Sequence, residues 1–230
     1  MNQASVAQNI TKVQERIRIA AQNCDRDPMD VTVLAVSKTR PADVIRSAAE
    51  AGLHDIGENY LQEALEKINQ LRDLDLCWHF IGPIQSNKTR AIAENFDWVH
   101  SVDREKIARR LNEQRPENLA PLNICLQVNT SDEASKSGSA LADLPALAAT
   151  VTELPNLRLR GLMSIPAASE SEIEQRAAFR SLRLALESLR RDLQGLDTLS
   201  MGMSADLEAA IMEGATIVRV GTDIFGPRGG

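Results

Sequence analysis

No apolar run in these 230 residues exceeds the length of a strand, so nothing reads as a membrane span. The amino terminus is polar and amphipathic and lacks the apolar centre of a secretory signal. A cytoplasmic protein without a membrane partner is expected. Positive charge is also in short supply: the formal charge is −6, which argues against general affinity for nucleic acid. Cys24, Cys77 and Cys125 make neither a C-x-x-C pair nor an even framework, so they read as reduced, partly buried thiols. His54, His79 and His100 show no i, i+4 spacing, and no metal site is expected. There is one tyrosine, Tyr60, and no linker or low-complexity stretch divides the chain. What is present, 43% hydrophobic and 25% charged residues, is ordinary for a globular protein and is read as one domain, 1–230.

The apolar pattern alternates between two periods. Val6, Ile10, Val13, Ile17 and Ala20 recur at helical spacing and predict a leading helix over 3–23. Strands are predicted at Val31–Ser37, Leu53–Gly57, Cys77–Ile81, Trp98–Val102, Leu122–Asn129, Leu157–Met163, Thr198–Met201 and Thr216–Val220, with helices between them. Pro41 opens the second helix, Ser86-Asn87-Lys88 starts another, Asp103 is a candidate N-cap, and a helix is expected over about Ala205–Glu213. Eight βα units point to a single (β/α)8 TIM barrel, with the leading helix standing in for the one missing after strand eight. A doubly wound open sheet is the competing architecture. It would normally show a G-x-G-x-x-G loop after its first strand, whereas this chain has Ser37-Lys38-Thr39-Arg40.

In such a barrel the site lies on the loops after the strands. Lys38 ends the first strand on the same face as Thr32, Leu34 and Val36. Burial there lowers an amine pKa and favours Schiff-base formation with a carbonyl; the ordinary alternative is a packed stem with a solvated ammonium. Strand seven leads into Ser200-Met-Gly-Met-Ser204, and strand eight into Gly221-Thr222, the positions of a barrel phosphate site. Each loop also has a plain reading as cap or turn, and Asp206 competes for the same helix end. Arg219 alternates with Val218 and Val220, so its guanidinium points into the barrel, where a carboxylate or a heteroaromatic nitrogen would serve as partner. A Schiff-base lysine, a phosphate cradle and a buried cation meet the needs of pyridoxal 5′-phosphate (PLP). Lys88, Lys136, Gln127 and Asn129 are further rim candidates, each equally readable as a solvated or packing side chain.

Leu34-Ala-Val-Ser-Lys38-Thr, Gly57-Glu-Asn-Tyr60, Trp78-His-Phe-Ile-Gly-Pro-Ile-Gln-Ser-Asn-Lys88, Gly161-Leu-Met163, Leu199-Ser-Met-Gly-Met-Ser204 and Val218-Arg-Val-Gly-Thr222 occur in order across nearly the whole chain. Together they resemble the pyridoxal phosphate homeostasis protein family. The resemblance implies an alanine racemase N-terminal-domain type barrel with PLP held as a Schiff base on Lys38. It also implies phosphate contacts from Ser204, Gly221 and Thr222, Arg219 against the pyridine nitrogen, and Asn59 and His79 near the same rim. Arg40 stands where some relatives are expected to carry lysine. The implied role is a non-catalytic PLP carrier or buffer, a monomer or weak dimer that serves PLP-dependent apo-enzymes and indirectly affects amino-acid and keto-acid balance. A PLP-dependent racemase is the alternative, and it would need a second acid/base opposite the lysine. A Schiff-base aldolase acting on a sugar phosphate is more distant.

Overall fold

The computed structural model describes residues 3–130 and 137–227, so Lys136 lies outside the described residues. Eight parallel strands run in sequence order around a closed barrel. They are β1 (Thr32–Val36), β2 (Asp55–Glu58), β3 (Cys77–Phe80), β4 (Trp98–Val102), β5 (Leu122–Gln127), β6 (Leu157–Met163), β7 (Thr198–Ser200) and β8 (Ile217–Val220). The helices are α1 (Gln3–Gln22), α2 (Ala42–Glu50), α3 (Leu61–Gln70), α4 (Thr89–Asn95), α5 (Glu105–Gln114), α6 (Leu144–Thr152), α7 (Glu172–Leu189), α8 (Leu207–Met212) and α9 (Thr222–Phe225). Ala35 is in register with Ile56 of β2 and with Val220 of β8, which closes the ring.

Alternation along each strand sorts side chains between two interiors. Ala35, Ile56, Phe80, Val99, Ile124, Leu126, Val218 and Val220 face the helices and join one continuous core. Leu34, Val36, Ile81 and Ile217 form a separate apolar cluster in the lumen. The lumen also holds polar groups, for His79, His100, Ser200 and Arg219 are all buried.

The ring of helices is closed by α1. Its Val6, Ile10, Val13 and Ile17 are at most 3% exposed, and full burial of such side chains stabilises by about 1.5–3 kcal/mol each. The helix packs on α2, α8 and α9. Arg16 donates from this helix to Glu208, to Asp223 and to the Ser204 carbonyl, tying α1 to both loops that follow β7 and β8.

Element ends differ from the sequence expectation for local reasons. Gly52, at φ +90°, turns the chain after α2, and the Leu53 N–H closes onto the Ala48 carbonyl, so β2 begins at Asp55 rather than Leu53. Asp103 pairs with Arg104 instead of capping, and α5 starts at Glu105. Ser86–Lys88 form a 3-10 turn ahead of α4. Asp206 accepts the Met203 N–H and occupies the cap position, which delays α8 to Leu207.

Candidate functional site

Lys38 follows β1 at the carboxyl-terminal rim and is half-buried. The register Val36↔Gly57 sets Asn59 beside it on one flank. On the other, a Cβ on Gly221 would lie 3.1 Å from the Val36 carbonyl oxygen, so the absence of a side chain lets β8 end against β1. Thr222 follows at the start of α9. Ser204 reaches the same end of the barrel after β7, in a turn two residues before the α8 cap position rather than at the helix terminus itself. Lys38, Asn59, Ser204, Gly221 and Thr222 thus share one rim, with Arg219 just beneath it on β8.

The turn that presents Lys38 is held from below. The buried Lys67 ammonium donates to the Glu58 carboxylate at 2.6 Å, to Glu63 at 2.5 Å and to the Ser37 carbonyl at 2.8 Å. Ser37 donates its hydroxyl to Glu58, and Glu63 accepts the Thr39 N–H. Burial pushes the Glu58 pKa up, against the opposing pull of Lys67 and Ser37. Thr39 has φ +64°, the left-handed region that β-branched residues seldom enter. This strain sits directly after Lys38, where the surrounding bonds fix the turn. Glu58, Glu63 and Lys67 were not singled out by sequence reasoning; the i, i+4 spacing of Glu63 and Lys67 was the available signal.

Arg219 points into the lumen, as its alternation with the two valines predicts. Its guanidinium donates to the Ser200 carbonyl at 2.6 Å, the Ser200 hydroxyl at 3.0 Å and the Ser164 carbonyl at 2.9 Å. No carboxylate makes an ion pair with it among the described residues. Burial lowers its pKa to about 10, opposed by the charge of Asp206, and it stays cationic at neutral pH. Burial in turn raises the Asp206 pKa.

His79 is placed differently from the rim position implied for it. Its ring stacks on Trp98 in the lumen, and both nitrogens face protein groups: Nε2 lies 3.0 Å from Asp55 and Nδ1 lies 2.9 Å from His100 Nε2. His100 Nδ1 continues to the Ser200 hydroxyl at 2.8 Å. His100 therefore belongs to the site's surroundings although sequence reasoning left it without a partner. Lys88 is exposed, and Gln127 is buried and donates to the Ser137 carbonyl.

The rim also contains unsatisfied groups. Asn59 Oδ1, Thr130 Oγ1 and Ser164 Oγ are buried without a hydrogen-bond partner among the described residues, at the ends of β2, β5 and β6. The backbone N–H groups of Gly221 and Thr222 have no acceptor among the described residues. Leaving such a buried group unmet costs about 1–3 kcal/mol. An amine-bearing lysine, free backbone donors and a cation without a carboxylate suit a small anionic carbonyl compound that carries its own acceptors and donors. The residues present therefore fit a phosphorylated aldehyde cofactor.

A sequence profile of the alanine racemase N-terminal domain matches residues 8–229. A pyridoxal phosphate homeostasis protein of Pseudomonas aeruginosa is 65% identical over 225 residues, covering 98% of this chain and 96% of that protein. The protein of the same name in Escherichia coli K12 is 52% identical over 226 residues, covering 97% of each chain. Among solved structures, PipY of Synechococcus elongatus with PLP bound superposes with a TM-score of 0.84 at 38% identity, covering 96% of this chain and 100% of PipY. Alanine racemase of Corynebacterium glutamicum shares the fold, with a TM-score of 0.70 at 17% identity; the match covers 98% of this chain but 62% of the racemase.

Proposed function

The chain belongs to the pyridoxal phosphate homeostasis protein family, built on the alanine racemase N-terminal-domain barrel, and from that premise we propose that it binds PLP through Lys38 and acts as a carrier or buffer of this cofactor. The observation that carries the reading is the buried Arg219, whose charge meets two carbonyls and a hydroxyl and no carboxylate among the described residues, beneath a rim that holds Lys38 and unmet polar groups. PLP supplies an aldehyde for reversible imine exchange and a phosphate for anchoring. Lys38 would offer the amine that holds the aldehyde. Ser204 and the N–H groups of Gly221 and Thr222 hold the phosphate and set the residence time. Asn59 orders the flank beside Lys38.

Arg219 facing the pyridine nitrogen favours holding over turnover. Its guanidinium donates and keeps its own proton, so the ring is left a weak electron sink. A racemase on the same barrel would need a second acid/base opposite Lys38. Tyr60, the one tyrosine, is 53% exposed at the start of α3. PLP-dependent apo-enzymes are the proposed recipients.

Visible spectra before and after borohydride reduction, followed by peptide mapping, test the reading with Lys38→Ala beside wild type. A yellow protein whose reduced adduct maps to Lys38 is the expected result. A colourless wild type that fails to take up added PLP would overturn it. Amino-acid turnover by the loaded protein would favour the racemase.

A further inference from the structure

Four hydrogen bonds run unbroken through the lumen, from Arg219 near the carboxyl-terminal rim to Asp55 at the amino-terminal mouth. The links are Arg219 Nη1 to Ser200 Oγ (3.0 Å), Ser200 Oγ to His100 Nδ1 (2.8 Å), His100 Nε2 to His79 Nδ1 (2.9 Å) and His79 Nε2 to Asp55 Oδ1 (3.0 Å). Chemistry at the two ends fixes the direction of every link. A guanidinium can only donate and an ionised carboxylate can only accept. With both histidines neutral, Ser200 accepts from Arg219 and donates its hydroxyl hydrogen bond to His100 Nδ1. His100 then carries its hydrogen on Nε2 and donates to His79 Nδ1, and His79 donates from Nε2 to Asp55. No group is left with two donors or two acceptors face to face.

The surroundings support this arrangement. His100 is fully buried, and burial, with the Arg219 charge acting in the same direction, drives its pKa well below the ordinary value, so it stays neutral. The His79 ring lies 5.5 Å from Trp98, nearly parallel to it, and Arg160 covers Trp98 at 4.8 Å. That stack limits rotation of His79. A protonated His79 would reverse the inner links: His100 would donate from Nδ1 to Ser200, whose hydroxyl would then receive from two sides. Asp55 is 35% exposed by side chain and lines a cavity of about 410 Å³ with Gln14, Met29 and His54, so the outer end meets solvent. Cys77, Asp75, Asp97, Arg160 with its partner Asp197, Asp30 and Arg26 are further titratable or charged groups around this mouth.

We propose that Asp55, His79, His100 and Ser200 form a one-directional hydrogen-bond relay that positions Arg219, so that charge at the amino-terminal mouth tunes whatever is bound against Arg219 at the opposite rim. No proton is transferred along it; polarisation passes from bond to bond. The chain makes Asp55, remote from the rim, a positioning residue for the cofactor site. The tuning half rests on the PLP reading above, whereas the relay itself does not.

Nitrogen-15 imidazole and guanidinium spectra of the full chain, recorded before and after PLP loading, test both halves. Wild type is expected to show slowly exchanging Nε2–H protons on His79 and His100. Asp55→Asn keeps an acceptor for His79 and removes the charge. It should move the Arg219 guanidinium resonances, shift the visible band of bound PLP and weaken PLP binding about fivefold, the low end of coupling between sites. Asp75→Asn, the same charge change at an exposed position of that mouth, should do none of these. Should Asp55→Asn fail to fold, Ser200→Ala cuts the chain at the other end and should move the His79 and His100 resonances together. An Nδ1–H on either histidine would overturn the relay. Equal effects of Asp55→Asn and Asp75→Asn would overturn tuning through the chain. Wild type that shows the histidine pattern yet takes up no PLP would sink the cofactor reading alone, and the Arg219 resonances of Asp55→Asn would then decide the relay: moved supports it, unmoved overturns it.

Discussion

Lys67 and Arg219 are both buried cations below the same rim, yet Lys67 meets two carboxylates and Arg219 meets two carbonyls and a hydroxyl. The first charge is neutralised locally, and its bonds are spent on the Ser37–Thr39 turn and on Glu58. The second is solvated by dipoles, which leaves its charge free to act on a bound group. In this pair the neutralised cation holds a turn, whereas the one solvated by dipoles faces the lumen.

Removing each cation sharpens the comparison. Lys67→Met strands the Glu58 carboxylate in the interior and should cost about 3–5 kcal/mol in urea unfolding, with disruption of the Lys38 turn. Arg219→Met strands only carbonyls and a hydroxyl, so the fold should lose about 1–3 kcal/mol while PLP affinity falls roughly 10- to 100-fold by equilibrium dialysis. If the two variants lost equal stability, the distinction between paired and unpaired cations would fail.

His100 gives the comparison a pH axis. Its native pKa is depressed, so the unfolded chain, titrating near 6.5, takes up a proton that the native state refuses. Stability is therefore full above that value and declines as pH falls through it, by up to about 1.4 kcal/mol per pH unit. Between pH 6.5 and 5 this should appear as a falling urea midpoint that His100→Asn flattens. Asp197 and Glu213, whose pKa values are lowered by arginines, act at lower pH, below their ordinary values of 3.8 and 4.5. The smallest expected effect is at Thr39. Glycine there relieves the positive φ and keeps the N–H that Glu63 accepts, so Thr39→Gly should gain about 1 kcal/mol in thermal unfolding. A loss instead would mean that the Thr39 side chain carries the turn.

The barrel was legible because every strand carries an apolar or β-branched alternation that survives without knowledge of its neighbours. Trp98–Val102 and Leu157–Met163 match at both ends. Ends set by side-chain bonding, such as the Asp206 hold on Met203, were not legible. Lys38, Asn59, Ser204, Gly221 and Thr222 could be placed on one rim because each follows a strand, and rim position is a property of order alone. The partners of His100 could not, since they lie 21 to 100 residues away, nor could the Ser37 carbonyl that Lys67 reaches across 30 residues; only its pairing with Glu63 four residues before left a signal. The shared parity of Trp98 and His100 on β4 hinted that His100 faces inward, but a face is not a partner. His79 shows the converse, for its motif placed it near the rim while its ring turned toward the other mouth.

Closure of the helix ring by α1 has a consequence for how the molecule assembles. Arg16 bonds to Asp223 across 207 residues of chain, and β1 pairs with β8 across most of the sequence. The apolar face of α1 can therefore be fully covered only once α8 and α9 are in place. Until then β1 is open on the side that meets β8, and α1 has only α2 to pack against. Such contacts of high sequence separation slow folding, since the entropy of closing the loop is lost before the contact forms. The loops after β7 and β8 that flank Lys38 thus depend on contacts between the two ends of the barrel, and the capacity to hold a ligand there reports its closure.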